Sequence, residues 1–116
     1  MTESERYQLF KDCCQHWIDR LSMHDIEFDY CMVDDLETAA AAATYQFDAH
    51  HAFLQLAADE TDPDTIRAAA LHEVLEVFLM PVKLQAINMK DAYHPFVQRE
   101  THAVIHILER ILGAIK

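Results

Sequence analysis

The run Ala68-Ala69-Ala70-Leu71-His72-Glu73-Val74-Leu75-Glu76-Val77-Phe78-Leu79-Met80 is apolar on every side except at His72, Glu73 and Glu76. A helix apolar all round belongs in the interior of its domain. A histidine and two carboxylates are costly there unless they are paired or bind a metal. His72 and Glu76 are four positions apart, so they share one helical face with Cβ atoms roughly 5–6 Å apart. Glu73 is turned about 100° from His72 around the axis. That geometry suggests two metal ligands, with a carboxylate beside the metal's open position.

Just upstream of this run, Asp62-Pro63-Asp64 is a helix start, an N-cap aspartate with proline in the first helical position. The spacing predicts a helix from about 63 to 80 that stops before Pro81. Residues 81–93 lack a clear period and read as a loop or lid. His94-Pro95 reads as a second cap and first-turn proline, opening a helix to about 114. Its apolar stripe is Phe96, Val97, Val104, Ile107, Leu108, Ile111 and Ile115. Glu100 lies on that stripe, four residues after Phe96 and four before Val104, so it is expected to face the core. His102 and His106 fall on the polar side with Arg99, Glu109 and Arg110, and read as surface histidines.

Upstream, Thr2-Glu3-Ser4-Glu5 has the spacing of a capping box. Tyr7, Phe10, Cys14, Trp17 and Leu21 then mark one face of an amphipathic helix over roughly 3–22. Ile26 to Tyr30 alternates apolar and polar, as a half-buried strand does. Thr44-Tyr45-Gln46-Phe47 has strand character, Asp48-Ala49-His50-His51 reads as a hairpin turn, and Phe53 to Ala57 as a third strand. The favoured arrangement is a short antiparallel β-meander. Because alanine prefers helix, the run Ala39 to Ala43 keeps open the alternative of a helix over 35–46. The expected fold class is α+β: N-terminal helix, meander, motif helix and closing helix in a single domain over 1–116.

Composition bounds the function. At 116 residues and 13.4 kDa the chain suffices for one core. A net charge of −11 and pI of about 4.9 argue against nucleic-acid binding, which needs a basic face. The acidity serves solubility, or meets a basic partner as a decoy. Cys13, Cys14 and Cys31 form neither a disulfide framework nor a CxxC metal site, so a reducing, cytoplasmic setting is the default. The acidic first residues do not read as a signal peptide. No run approaches the ~18 apolar residues of a membrane span.

The segment His72-Glu73-Val74-Leu75-Glu76 resembles the HExxH signature of zincin metallopeptidases, with the second histidine replaced by glutamate. In the gluzincins a downstream glutamate is the third ligand, and Glu100 sits where it would be expected. The chain also resembles small zincin-like proteins of phages and prophages, in which a closing helix carries a run like Arg99-Glu100-Thr101-His102. The likeness is firm over about 66–112 and loose before that. It implies a metal-dependent hydrolase acting on peptides, with His72, Glu76 and Glu100 as metal ligands and Glu73 as the catalytic general base. The implied cofactor is zinc or another divalent ion such as manganese or iron. Such an ion acidifies a water and polarises a peptide carbonyl.

Glu76 departs from the pattern, and one histidine with two carboxylates makes a more negative site. Its water would be less acidic, and harder ions would compete better with zinc. Weak or altered metal binding and low peptidase activity are therefore expected. The strand nearest the cleft, Phe53 to Ala57, would hold an extended peptide by strand addition. Tyr93 or His94 is the candidate to stabilise an oxyanion. The competing readings are a hydrogen-bonded core cluster on a catalytically inactive scaffold that binds a protein, and a Glu100 that pairs with Arg67 or Arg99.

Overall fold

A computed structural model describes the chain apart from residues 35, 38, 47, 90–93 and 114–116, and apart from the side chains of 82–89 and 94–98. The element order is α1 (Glu3–Arg20), β1 (Glu27–Val33), β2 (Ala41–Gln46), β3 (His51–Ala57), α2 (Pro63–Met89) and α3 (His94–Gly113). The expected α+β class holds. Two compact units divide the chain, Met1–Val77 and Phe78–Lys116.

In the first unit α1 begins at the expected capping box. Glu5 N–H donates to Thr2 Oγ1 at 3.1 Å, and Thr2 N–H donates to Glu5 Oε1 at 3.1 Å. The helix ends in a Schellman arrangement: Met23 N–H reaches Ile18 O at 3.0 Å and Ser22 N–H reaches Asp19 O at 3.2 Å. The left-handed residue this requires is Ser22, with φ 55°, rather than a glycine. Met23 follows and is buried, which anchors the exit of the helix.

The sheet has the order β1-β3-β2, and it is not the expected meander. β1 pairs with β3 in parallel, and β2 pairs with β3 antiparallel. A parallel pair needs a crossover of a dozen or more residues. Residues 34–50 provide one, with β2 carried inside it. Residues 41–46 are therefore strand, not helix. β3 holds the centre because its alternation is the most apolar: Ala52, Leu54 and Leu56 are fully buried. Phe28, Tyr30 and Met32 stand opposite them on β1, and Tyr45, Ala43 and Ala41 on β2.

That sheet face packs on two helical stripes, Phe10, Cys14 and Ile18 of α1 and Ile66, Ala70, Val74 and Val77 of α2. The start of α2 is the expected cap: Thr65 Oγ1 donates to Asp62 Oδ2 at 2.7 Å, and Ile66 N–H to Asp62 O at 3.0 Å. Its end is not where expected, since the helix runs through Pro81 to Met89. Proline removes one backbone bond from a helix interior. The flanks, however, contain no glycine or turn residue, and Leu79, Met80, Lys83, Leu84, Gln85 and Ala86 are good helix formers. The expected loop over 81–93 is thus helical to residue 89, and 90–93 lie outside the described residues.

The second unit comprises the chain from Phe78, including α3. Here the described side chains bury a face that shares only Leu108 with the expected stripe. Ile105 is fully buried, whereas Val104, Ile107 and Ile111 are 43%, 48% and 54% exposed. Thr101, Leu108 and Leu112 are partly buried beside Ile105. Of the expected stripe, Phe96, Val97 and Ile115 lie outside the described side chains.

Candidate functional site

The motif residues sit in the middle of α2, with Glu73 on the flank of the stripe that packs against the sheet and His72 and Glu76 turned away from it. Ile66, Ala70, Val74 and Val77 fix the rotation of the helix, because all four are fully buried. At 100° per residue that rotation turns His72 about 155° and Glu76 about 115° away from the centre of the stripe, and leaves Glu73 about 55° from it. His72 and Glu76 come together as expected, with His72 Nε2 at 3.5 Å from Glu76 Oε1. Their side chains are 26% and 11% exposed. A carboxylate this far out of water needs a cation or strong donors to stay charged.

Glu73 is half-buried, and its charge is felt on the α1 side. Burial raises the Cys14 thiol pKa, and the neighbouring Cys13 and Glu73 add to that rise. Cys14 therefore stays a neutral, buried thiol, and burial likewise raises Cys13.

Whether the residues suit a metal ion can be tested on the 3.5 Å pair. Two ligand atoms on one tetrahedral ion, each with a bond of 2.0–2.2 Å, lie roughly 3.3–3.6 Å apart. His72 Nε2 and Glu76 Oε1 stand within that range, so these two groups fit a shared ion. Among the described residues, no group of three or more His, Cys, Asp or Glu side chains is arranged to hold one.

Glu100, expected to be buried, is 56% exposed, with Arg99 Nε 3.8 Å from its Oε1. It does share a face with Val104 and Ile107, but both of these are exposed. In its own unit it lines a shallow cleft with Leu79, Thr101 and Val104. Arg67, the other partner considered for it, is bound to Asp64 at 2.9 Å.

The strand expected to hold an extended peptide, Phe53 to Ala57, is not at an edge of the sheet. β3 is paired on both sides, so Phe53 to Ala57 cannot accept a further strand; the outer strands are β1 and β2. Of the oxyanion candidates, Tyr93 lies outside the described residues, and His94 is the first residue of α3. His51 is more organised than a turn residue. It lies on β3, with Nε2 2.7 Å from Asp29 Oδ2 on β1 and its ring stacked on Phe53 at 4.5 Å. The parallel pairing of β1 and β3 makes that contact, and an antiparallel reading hid it.

No helix among the described residues is long and apolar enough to cross a membrane. The chain matches no family model, no curated protein and no solved structure.

Proposed function

We propose that this chain is a small zincin-like hydrolase domain of low peptidase activity, whose HEVLE helix binds a divalent cation through His72 and Glu76. One observation supports the reading above others: an imidazole and a nearly buried carboxylate one turn apart, with ligand atoms 3.5 Å from each other. Glu100 enters as third ligand, and Glu73 as general base, on the resemblance alone. A bound ion would supply an acidified water and a polarised peptide carbonyl. Glu73 would accept the proton of the attacking water and return it to the departing amine. An extended peptide would align along an outer strand, β1 or β2.

A second reading is favoured by the exposure of Glu100 and its contact with Arg99. It makes the domain a catalytically inactive zincin-like scaffold that acts by binding a protein. One experiment separates the two. Cleavage of a fluorogenic peptide library is followed with zinc or manganese, with chelator, and in Glu73→Gln, alongside thermal melts. An ion at about 100 times its Kd stabilises the folded state by ~2.7 kcal/mol, and the Tm should rise accordingly. Chelator-sensitive cleavage lost in Glu73→Gln supports the hydrolase. A metal-dependent Tm that is lost in His72→Gln, without cleavage, supports the inactive scaffold. A Tm unmoved by zinc, manganese or chelator removes the metal and the hydrolase with it.

A further inference from the structure

We propose that His102 and His106 form a separate divalent-cation site on the outer face of α3, with Glu109 as the positioning residue for the His106 ring. The two histidines are one turn apart, so they project side by side from one face. Both are exposed, and their ring centroids are 6.3 Å apart at an interplanar angle of 75°. Two imidazoles that share one ion through bonds of 2.0–2.1 Å have centroids roughly 5 Å apart. A modest side-chain rotation closes that difference at exposed positions.

Glu109 turns the pair into a built arrangement. His106 Nδ1 lies 3.0 Å from Glu109 Oε1, and the Glu109 side chain is 23% exposed against 64% for His106. An ionised carboxylate only accepts hydrogen bonds, so Nδ1–H is the donor and Nε2 is the coordinating nitrogen. A histidine fixed by a carboxylate through its other ring nitrogen is the usual support of a metal-bound imidazole. Imidazole donors select copper(II), nickel(II) and zinc over magnesium and calcium. The net charge of −11 raises the local concentration of any cation. Water would fill the remaining positions on the ion, which makes this a site for capture or bridging rather than a closed structural one.

The site is independent of the HEVLE reading, and zinc titration of the full chain tests it by nuclear magnetic resonance of the histidine ring nitrogens. His102 and His106 should shift together and saturate with one zinc between them. His106→Ala should abolish the response at His102. Glu109→Gln should weaken binding by roughly 10–100-fold, with the zinc-free Tm unchanged. In His72→Gln the paired response should persist. Shifts that saturate separately, or a His102 response that survives His106→Ala, overturn the shared site. Unchanged affinity in Glu109→Gln overturns the positioning role, and loss of the response in His72→Gln overturns its independence.

Discussion

Replacing Pro81 with alanine should stabilise the protein. Pro81 lies inside α2, well short of its end at Met89. Having no N–H, it leaves the carbonyl of Val77 without its partner one turn on, and its ring crowds that same carbonyl. The two units divide between Val77 and Phe78, at that carbonyl. In a helix interior alanine is favoured over proline by ~3 kcal/mol, a figure that already contains the recovered hydrogen bond. Against it stands the greater freedom of the unfolded alanine chain, which costs ~0.4–1 kcal/mol. Pro81 is only partly buried, so little ring packing is lost. The net gain is ~2 kcal/mol, which for a chain of this length raises the Tm by about 5–10 °C. Thermal melts followed by far-ultraviolet circular dichroism measure it directly. An unchanged or lower Tm would refute the reasoning, since it would mean that the missing bond costs nothing where it falls.

Three further outcomes follow from the same geometry. Leu54→Ala, at a fully buried site on the central strand between Tyr30 and Ala43, should cost 2–5 kcal/mol by denaturant unfolding, within the range of ~2–5 for such truncations. Cys14, buried and with its thiol pKa raised, should stay unlabelled by iodoacetamide at mildly alkaline pH until the protein unfolds; mass spectrometry locates the label, and native labelling of Cys14 would contradict the packing. The Asp62 carboxyl is held below its ordinary range, chiefly by the Thr65 hydroxyl, with the Asp64 and Thr65 backbone groups and the Arg67 charge helping. A carboxyl depressed in the folded state stabilises above its unfolded pKa of about 3.9 and loses that contribution as the pH falls through the folded value. Asp62→Ala should therefore destabilise at neutral pH, with the gap to the parent narrowing below about pH 4 in denaturation curves; a gap independent of pH would contradict the cap.

Local features were legible in the sequence, and non-local ones were not. The Thr2–Glu5 box and the Asp62 cap each depend on residues three apart, and both stand where their spacing put them. The i, i+4 pairing of His72 and Glu76 is equally local. Sheet order is not, because alternation shows which face of a strand is buried and says nothing of its neighbours. The His51–Asp29 contact was hidden with it. On α3 two apolar stripes compete: Val104, Ile107 and Ile111 have helical spacing, and so do Ile105, Leu108 and Leu112. Periodicity alone does not choose between them. The first, taken together with Leu108, puts Glu100 in the core; the structure instead buries Ile105, with Leu108 and Leu112 partly buried.

The proposed metal centre requires His72 and Glu76 to hold one ion between them. Crystals of the full chain soaked in zinc and measured at the zinc absorption edge test this most directly. An anomalous peak is expected about 2.0–2.2 Å from both His72 Nε2 and Glu76 Oε1. Zinc bound elsewhere, with His72 and Glu76 still paired to each other and no peak between them, would contradict it.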